Sequence, residues 1–188
     1  MTRIIGGSAR GRTLRVPGHG TRPTSDRVRE SLFSSLEHRL GGWHGRVVLD
    51  LYAGSGALAL EALSRGAARA IAVEQDRQAV QVLRANAAAT GLALDVVAAD
   101  VGRFVTRPLP ATPDVVFVDP PYDLPADTLR GHLAALLADI GASEVLLVIE
   151  RSARDSASPV PEGCEDVEVR TVGETAITYA HWYGVRHE

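Results

Sequence analysis

The sequence predicts an α/β fold on a doubly wound, mostly parallel seven-stranded sheet, and three features of the chain indicate it. Short apolar runs alternate with longer helical segments between residues 46 and 150. These runs are apolar almost throughout, which is typical of parallel strands covered by helices on both faces. The tail, 166–183, holds two β-rich segments joined by a short turn, and they predict a closing antiparallel hairpin.

The first long element is a helix. Leucines and a valine recur every fourth residue between 28 and 40, which is the spacing of one apolar helix face. Thr24, Ser25 and Asp26 are the candidate caps of its amino terminus, and the two glycines at 41–42 are expected to end it.

Strands and helices then alternate. The predicted strands are 46–52, 70–74, 94–100, 113–119 and 144–150, and the predicted helices are 57–66, 76–91 and 128–141. Gly66 and Gly91 are expected to cap the carboxyl ends of the first two of these helices, and Asp76 to cap the start of the second.

Size and composition limit the classes of protein. A chain of 188 residues can bury the core of one domain. It has no apolar run that could span a membrane, and "MTRIIGGSARGR" at its start lacks the apolar centre of a signal peptide, so we expect a cytoplasmic protein. Cys164 is the single cysteine and the histidines lack ligand spacing, so we expect neither a disulfide nor a metal site.

The amino-terminal segment differs in charge from the rest. Residues 1–30 have a net charge of +5 and the other 158 residues −8, and every basic residue is an arginine. Two β-prone pieces around a glycine-containing centre predict a hairpin or loose arm, 1–22, ahead of a main domain, 23–188. A basic arm on an acidic body favours a polyanionic partner, although a merely solvated charge run is the alternative. The candidate contacts are Arg3, Arg10, Arg12, Arg15, Arg22, Arg27 and Arg29.

A glycine loop joins the first strand of the sheet to its helix. In "DLYAGSGALALEA", Gly54, Gly56 and Ala59 match the pattern G-x-G-x-x-G/A, and Glu74 ends the next strand. Glycines let the backbone approach a cofactor, and the acid can accept hydrogen bonds from ribose hydroxyls. The motif alone does not separate nicotinamide from S-adenosylmethionine, and a tight turn without a ligand is also consistent with it.

Acids stand at the ends of four predicted strands. Their positions are Asp50, Glu74, Asp100 and Asp119. The carboxyl ends of parallel strands line one crevice, so these acids are expected to meet there. Four carboxylates favour a cationic, hydroxyl-rich ligand over a phosphorylated one, although Asp100 could instead cap a helix. The closing hairpin also fits nucleoside-cofactor methyltransferases better than all-parallel dehydrogenases.

"DPPY", 119–122, ends a strand abruptly because proline cannot donate to a sheet. It resembles the [D/N/S]-P-P-[Y/F/W] motif of methyltransferases that act on exocyclic amino groups of nucleobases. Together with "RPTSDRVRESLF" and "LDLYAGSGALALEALSRGA", it resembles the bacterial 16S rRNA (guanine-N2)-methyltransferase family of RsmD type over nearly the whole chain. Tyr52 and Ala59 depart from it, standing where phenylalanine and glycine are commoner in that family.

The resemblance implies a Rossmann-like, class I S-adenosylmethionine-dependent methyltransferase with an amino-terminal basic β-hairpin arm. It implies methylation of the N2 amino group of one guanine in small-subunit rRNA, in an assembled or nearly assembled 30S particle, by a monomer without metal. The alternatives are an adenine N6 amino methyltransferase on DNA or RNA, a nicotinamide-dependent oxidoreductase, and an RNA-binding module without activity.

The resemblance also assigns roles to residues. Asp119, Pro120, Pro121 and Tyr122 are the expected catalytic residues, with Asp119 and the Pro120 carbonyl accepting hydrogen bonds from the amine and Tyr122 stacking on the base. The expected cofactor-binding residues are Asp50, Tyr52, Ala53, Gly54, Ser55, Gly56, Glu74, Gln75, Asp100 and Val101. The arginines of the arm are the expected RNA contacts.

Overall fold

The computed structural model describes residues 1–18, 26–155 and 157–184. Its strands are β1 (Thr2–Arg3), β2 (Thr13–Leu14), β3 (Val47–Leu51), β4 (Arg69–Glu74), β5 (Leu94–Ala98), β6 (Val115–Val118), β7 (Val145–Ser152), β8 (Glu165–Val172) and β9 (Thr175–Trp182). Its helices are α1 (Asp26–Leu40), α2 (Ala57–Ser64), α3 (Arg77–Thr90), α4 (Val101–Phe104) and α5 (Ala126–Ile140).

The predicted fold class is confirmed. Seven strands form one sheet in the order β5-β4-β3-β6-β7-β9-β8. Strands β3 to β7 are parallel, and β9 runs antiparallel between β7 and β8 as the closing hairpin requires. A separate antiparallel pair, β1 and β2, forms the arm.

Apolar layers cover both faces of the sheet, as the continuous apolar strands predict. On one face, α1, α2 and α3 bury a cluster around Phe33, Trp43 and Phe117. On the other face, α4 and α5 bury Leu49, Leu133 and their neighbours. The helices therefore hold the sheet from both sides and leave its carboxyl edge open.

The predicted boundaries differ from the observed ones in two informative places. The carboxyl-terminal cap of helix α2 is Arg65, one residue before the predicted cap. Gly66 follows it, with a φ of 111°. Helix α4 has a single turn and no apolar repeat, so periodicity could not indicate it. The proposed caps Thr24 and Ser25 lie outside the described residues, while Asp76 and Gly91 cap α3 as predicted.

The arm is a hairpin packed against the main body, so of the two predicted alternatives the hairpin is observed and the loose arm is not. Ile4, Ala9 and Leu14 are buried in a small cluster with Leu60 of α2. Apolar burial of this kind fixes the arm even though each of its strands has only two residues. In the residues that the structure describes, no helix has the length and apolarity of a membrane span.

Candidate active site

The sheet reverses its strand order between β3 and β6. From β3 the chain builds β4 and β5 on one side, and it then returns to add β6 and β7 on the other. The register pairs Leu51 with Val118, so Tyr52 and Asp119 follow side by side at the carboxyl edge. Open α/β sheets bind ligands at such a switch point. A cavity of about 260 Å³ opens there.

Most of the predicted site residues line this cavity. They are Asp50, Tyr52, Ala53, Gly54, Ser55, Glu74, Gln75, Val101, Asp119, Pro120, Pro121 and Tyr122. Further residues line the cavity that the sequence did not assign to the catalytic or cofactor site; they are Val16, Pro17, Arg29, Ala57, Leu58, Asp76 and Ala79. Gly56 and Asp100 are not among the lining residues. The cavity therefore joins the glycine loop to "DPPY" and has a wall from the arm.

Gly56 shapes the loop from behind. Its φ is 75°, and a Cβ on it would lie 2.2 Å from Cδ1 of Leu83. Its N–H donates to the Ala53 carbonyl at 2.7 Å, which closes the turn before α2. Only glycine fits a left-handed position with so little space, so this residue acts through loop shape.

Glu74 holds the loop from β4. One carboxylate oxygen accepts a hydrogen bond from the Gly54 N–H at 2.9 Å. The other accepts from the N–H groups of Gln75 and Asp76, each at 2.8 Å. A carboxylate offers about four acceptor positions, so these three bonds leave room for one hydroxyl of a ligand.

Asp50 caps α2 from the adjacent strand. The helix begins after Gly56, which has no capping side chain, and Oδ2 of Asp50 accepts the Ala59 N–H at 3.1 Å. The side chain is 1% exposed. Burial raises its pKa to about 7; the Ala59 hydrogen bond opposes this and the charge of Glu74 adds to it. A cation bound in the cavity would stabilise the ionised form of this buried carboxylate.

The surroundings of Asp119 disfavour the ionised form of its carboxyl group. Burial raises its pKa well above the ordinary range, and the charges of Glu150 and Asp50 add to the rise. Within the described part of the chain, no hydrogen bond to its carboxylate is found. The amine of a substrate would therefore meet an acceptor that is not already engaged.

Two prolines and a tyrosine complete this side of the cavity. The Pro121 carbonyl accepts the Leu124 N–H at 3.0 Å, which closes a tight turn after β6. Tyr122 is 63% exposed, although it lines the cavity. An exposed ring at the mouth of a cavity is available to stack on a planar ligand.

Asp100 caps a helix, which was the alternative role predicted for it from the sequence. Its side chain accepts the Arg103 N–H at 3.0 Å and so caps α4. The next residue, Val101, is buried and lines the cavity. The apolar contact at this end of the site thus comes from Val101, and an adenine contact by Asp100 stays a prediction.

Tyr52 is held by a contact from α5. Its backbone is left-handed, with φ 62°, which is uncommon for a residue with a large side chain. Its hydroxyl lies 3.0 Å from Nδ1 of His132, and burial raises its pKa to about 12. The hydroxyl that distinguishes this residue from phenylalanine therefore anchors the start of the glycine loop.

The candidate RNA-binding arginines do not all lie on the surface. Arg10, Arg12, Arg15 and Arg27 are exposed, and Arg3 is exposed beside Asp26, with 3.3 Å between Nε and Oδ2. Arg22 lies outside the described residues.

The prediction for Arg29 is wrong. Its side chain is 1% exposed, and its guanidinium donates to the Thr2 hydroxyl, the Arg3 carbonyl and the Asp26 carboxylate. A buried guanidinium with these partners cannot serve as a surface grip. It fixes the arm to α1.

With this geometry in place, comparisons with known proteins identify the relatives of the chain. A family model described as "Conserved hypothetical protein 95" matches residues 2–181. The Escherichia coli K12 protein named ribosomal RNA small subunit methyltransferase D is 39% identical over 186 residues, covering 93% of this chain and 86% of its own.

Two solved structures give the corresponding result for the fold. A hypothetical protein of Thermus thermophilus superposes with a TM-score of 0.79 at 36% identity, covering 95% of this chain and 98% of its own. The precorrin-6y C5,15-methyltransferase of Geobacter metallireducens has a TM-score of 0.68 at 20% identity, covering 90% and 93%. At that identity the second match shows a shared fold alone.

Proposed function

The chain belongs to the family of ribosomal RNA small subunit methyltransferase D, and from that premise we propose that it methylates the N2 amino group of one guanine in small-subunit rRNA, with S-adenosylmethionine as donor. One observation carries this proposal. A single cavity joins a glycine loop, which suits a nucleoside cofactor, to an aspartate and a tyrosine, which suit an aminated base.

The donor set of the cavity fits S-adenosylmethionine. Carboxylates of Asp50, Glu74 and Asp119 line it together with the apolar side chains of Leu58 and Val101. Such a lining favours a ligand that carries positive charge, hydroxyls and a flat ring, and it disfavours the pyrophosphate of a dinucleotide. This argues against the nicotinamide alternative.

Individual residues have separate tasks in holding the donor. Glu74 accepts from a ribose hydroxyl with its remaining acceptor position, and Val101 packs against the adenine. The glycine loop from Tyr52 to Ser55 encloses the methionine part, with Asp50 beneath it. When bound, S-adenosylmethionine supplies an electrophilic methyl group next to a positive sulfonium.

Asp119 and Pro120 prepare the nucleophile. The exocyclic amine of guanine is a weak nucleophile, because its lone pair is delocalised into the ring. The Asp119 carboxylate and the Pro120 carbonyl accept its two N–H groups, which favours a pyramidal nitrogen with its lone pair directed at the methyl carbon. Positive charge nearby lowers the pKa of Asp119, so the carboxylate is ionised when it is needed and can take the released proton.

Tyr122 and the arm bring the RNA to this point. The exposed ring of Tyr122 stacks on a guanine that has left its own base stack. The exposed arginines of the arm bind phosphates, which gives affinity and register but little choice of sequence.

The arm's part is tested by charge reversal. The double variant Arg10→Glu, Arg12→Glu should bind small-subunit rRNA more weakly, and its affinity should depend less steeply on salt because fewer counterions are released. Filter binding at several salt concentrations measures both quantities. Unchanged affinity in the variant would leave the arm as a solvated charge run.

The reaction itself is tested by methyl transfer from labelled S-adenosylmethionine. The acceptors are unmodified small ribosomal subunits, naked rRNA and duplex DNA, and each product is digested to nucleosides. Label in N2-methylguanosine, strongest on the subunit, is the expected result. Label in methyladenine would replace the guanine assignment with the adenine alternative.

A further inference from the structure

Buried polar side chains concentrate where the arm meets the main body. Across the described residues the buried polar or charged side chains are Thr2, Arg29, Asp50, Glu61, Ser64, Asn86 and Thr178. All but Asp50 and Thr178 take part in hydrogen bonds between the arm and a helix. Burial of polar groups is costly unless each finds a partner, so this boundary is a fixed interface.

Helix α2 holds the first half of the arm. Glu61 accepts the N–H groups of Ile5 at 2.7 Å and Gly6 at 2.8 Å. Ser64 accepts the Ala9 N–H at 2.9 Å. At Gly7, with φ 75°, a Cβ would lie 1.7 Å from the Ser64 carbonyl oxygen, so the backbones touch and only glycine fits.

Asn86 of α3 holds the second half of the arm and the glycine loop together. Its Oδ1 accepts the Arg15 N–H at 2.9 Å, and its Nδ2 donates to the Arg15 carbonyl at 2.9 Å. The same Nδ2 donates to the Ser55 carbonyl, also at 2.9 Å. One amide, 1% exposed, thus joins a segment of the arm to the loop that borders the cavity.

The arm residues beside this amide belong to the site. Val16 and Pro17 follow Arg15 directly and form part of the cavity wall. Arg15 itself is exposed and is one of the arginines assigned to phosphate contact. The seated arm therefore completes the cofactor cavity and presents a cation to RNA in the same arrangement.

We propose that Asn86 is a positioning residue that seats the arm for both cofactor binding in the cavity and RNA binding by the arm. The inference rests on the proposed function. Seated and unseated positions of the arm are the two states, and both ligands bind better to the seated state because it alone has the Val16–Pro17 wall and a fixed Arg15. A variant that shifts the arm towards the unseated position must then bind each ligand more weakly, and in it each ligand must strengthen the binding of the other by the same factor.

The test measures that factor. Sinefungin, an unreactive aminated analogue of S-adenosylmethionine, is titrated into the full chain with and without saturating unmodified small ribosomal subunits, and subunits are titrated with and without sinefungin. We expect a factor near one in the unaltered protein, because its arm is already seated. In Asn86→Ala, where the arm is partly unseated, each ligand alone should bind more weakly and each should tighten the other by roughly tenfold, which is within the usual range for coupled sites.

Matched variants separate coupling from folding. Gln81→Ala removes an exposed polar side chain from the same helix and should behave like the unaltered protein. Gly7→Ala unseats the arm at its other end and leaves α3 unchanged, so it should raise the factor even if Asn86→Ala does not fold. Thermal unfolding shows which variants are folded.

The outcomes are distinct. Undiminished binding of both ligands and a factor of one in folded Asn86→Ala and Gly7→Ala would overturn the inference and leave the proposed function standing. If neither sinefungin nor the subunit binds the unaltered protein, the proposed function fails and the inference fails with it.

Discussion

Carboxylates in the two halves of the cavity have opposite hydrogen-bonding environments. On the β3–β4 side, the carboxylates of Asp50 and Glu74 accept hydrogen bonds from backbone N–H groups of the loop and helix. On the β6–β7 side, Asp119 lies near Glu150, and burial and like charge raise its pKa. Carboxylates that accept backbone donors fix a loop, whereas a carboxylate without such donors keeps its acceptor capacity for a substrate.

The largest effect should come from replacing Asp119, whose carboxylate accepts no hydrogen bond within the described residues. Asp119→Ala removes the acceptor proposed for the amine, so we expect methyl transfer to fall by about 10³-fold or more while sinefungin binding changes little. Radiolabel transfer and calorimetry measure the two quantities. Asp123→Ala, four residues away and exposed, is the control. Full activity in Asp119→Ala would remove this residue from the mechanism.

The next-largest effect is on how the folding stability depends on pH, and it comes from Asp50. The pKa of Asp50 is about 7 in the folded protein and has an ordinary value of 3.8, so folding takes up a proton between these values. Stability therefore falls as pH rises through this window, by up to about 4 kcal/mol at roughly 1.4 kcal/mol per pKa unit.

Asp50→Asn should remove that loss, because the amide oxygen still accepts the Ala59 N–H and carries no charge. Urea unfolding at pH 5 and pH 8 gives the comparison. We expect the free energy of unfolding to fall between these pH values in the unaltered protein and to fall less in the variant, where the raised pKa of Asp119 still contributes. The same fall in both would mean that another group titrates.

A smaller effect is expected at the loop. Glu74→Gln replaces an acceptor oxygen with an NH₂ group, so the three backbone donors can no longer all be satisfied. We expect sinefungin to bind about 10-fold to 100-fold more weakly, with RNA affinity less changed. Glu162→Gln on the surface is the control, and equal affinity in both variants would contradict the role of Glu74.

The smallest effect is a shift in pH dependence. Glu150→Gln removes a negative charge that raises the pKa of Asp119, so the pKa of Asp119 should fall. Because the ionised carboxylate is the active form, the rise of kcat/KM with pH should move to lower pH. An unmoved profile would mean that Asp119 does not set it.

The sequence predicted the parts of this site that lie in local patterns. Glycine spacing, acids at strand ends and "DPPY" each occupy a few consecutive residues, and parallel strands bring such ends together. The arm's share in the cavity could not be predicted in this way, because it depends on contacts between distant residues, such as the hydrogen bonds of the Asn86 side chain with the Arg15 backbone, 71 residues away.

The position of Asn86 in the sequence nevertheless indicates that its side chain is buried. It follows Leu83 by three residues and so stands on the apolar face of α3, where a polar side chain needs buried partners. Arg29 gives the same lesson. It follows Asp26 by three residues on the first turn of α1, and charge alone could not show that its guanidinium points inward.

The separation between Arg15 and Asn86 also affects how the protein is made. The arm leaves the ribosome first, but the helix that holds it follows 71 residues later. At about 5–20 residues per second, the arm waits roughly 4–14 s before its partner has even been synthesised. Until α3 has been made, the second half of this strongly basic arm lacks the side chain that holds it, so the arm can reach its seated position only after synthesis has passed Asn86.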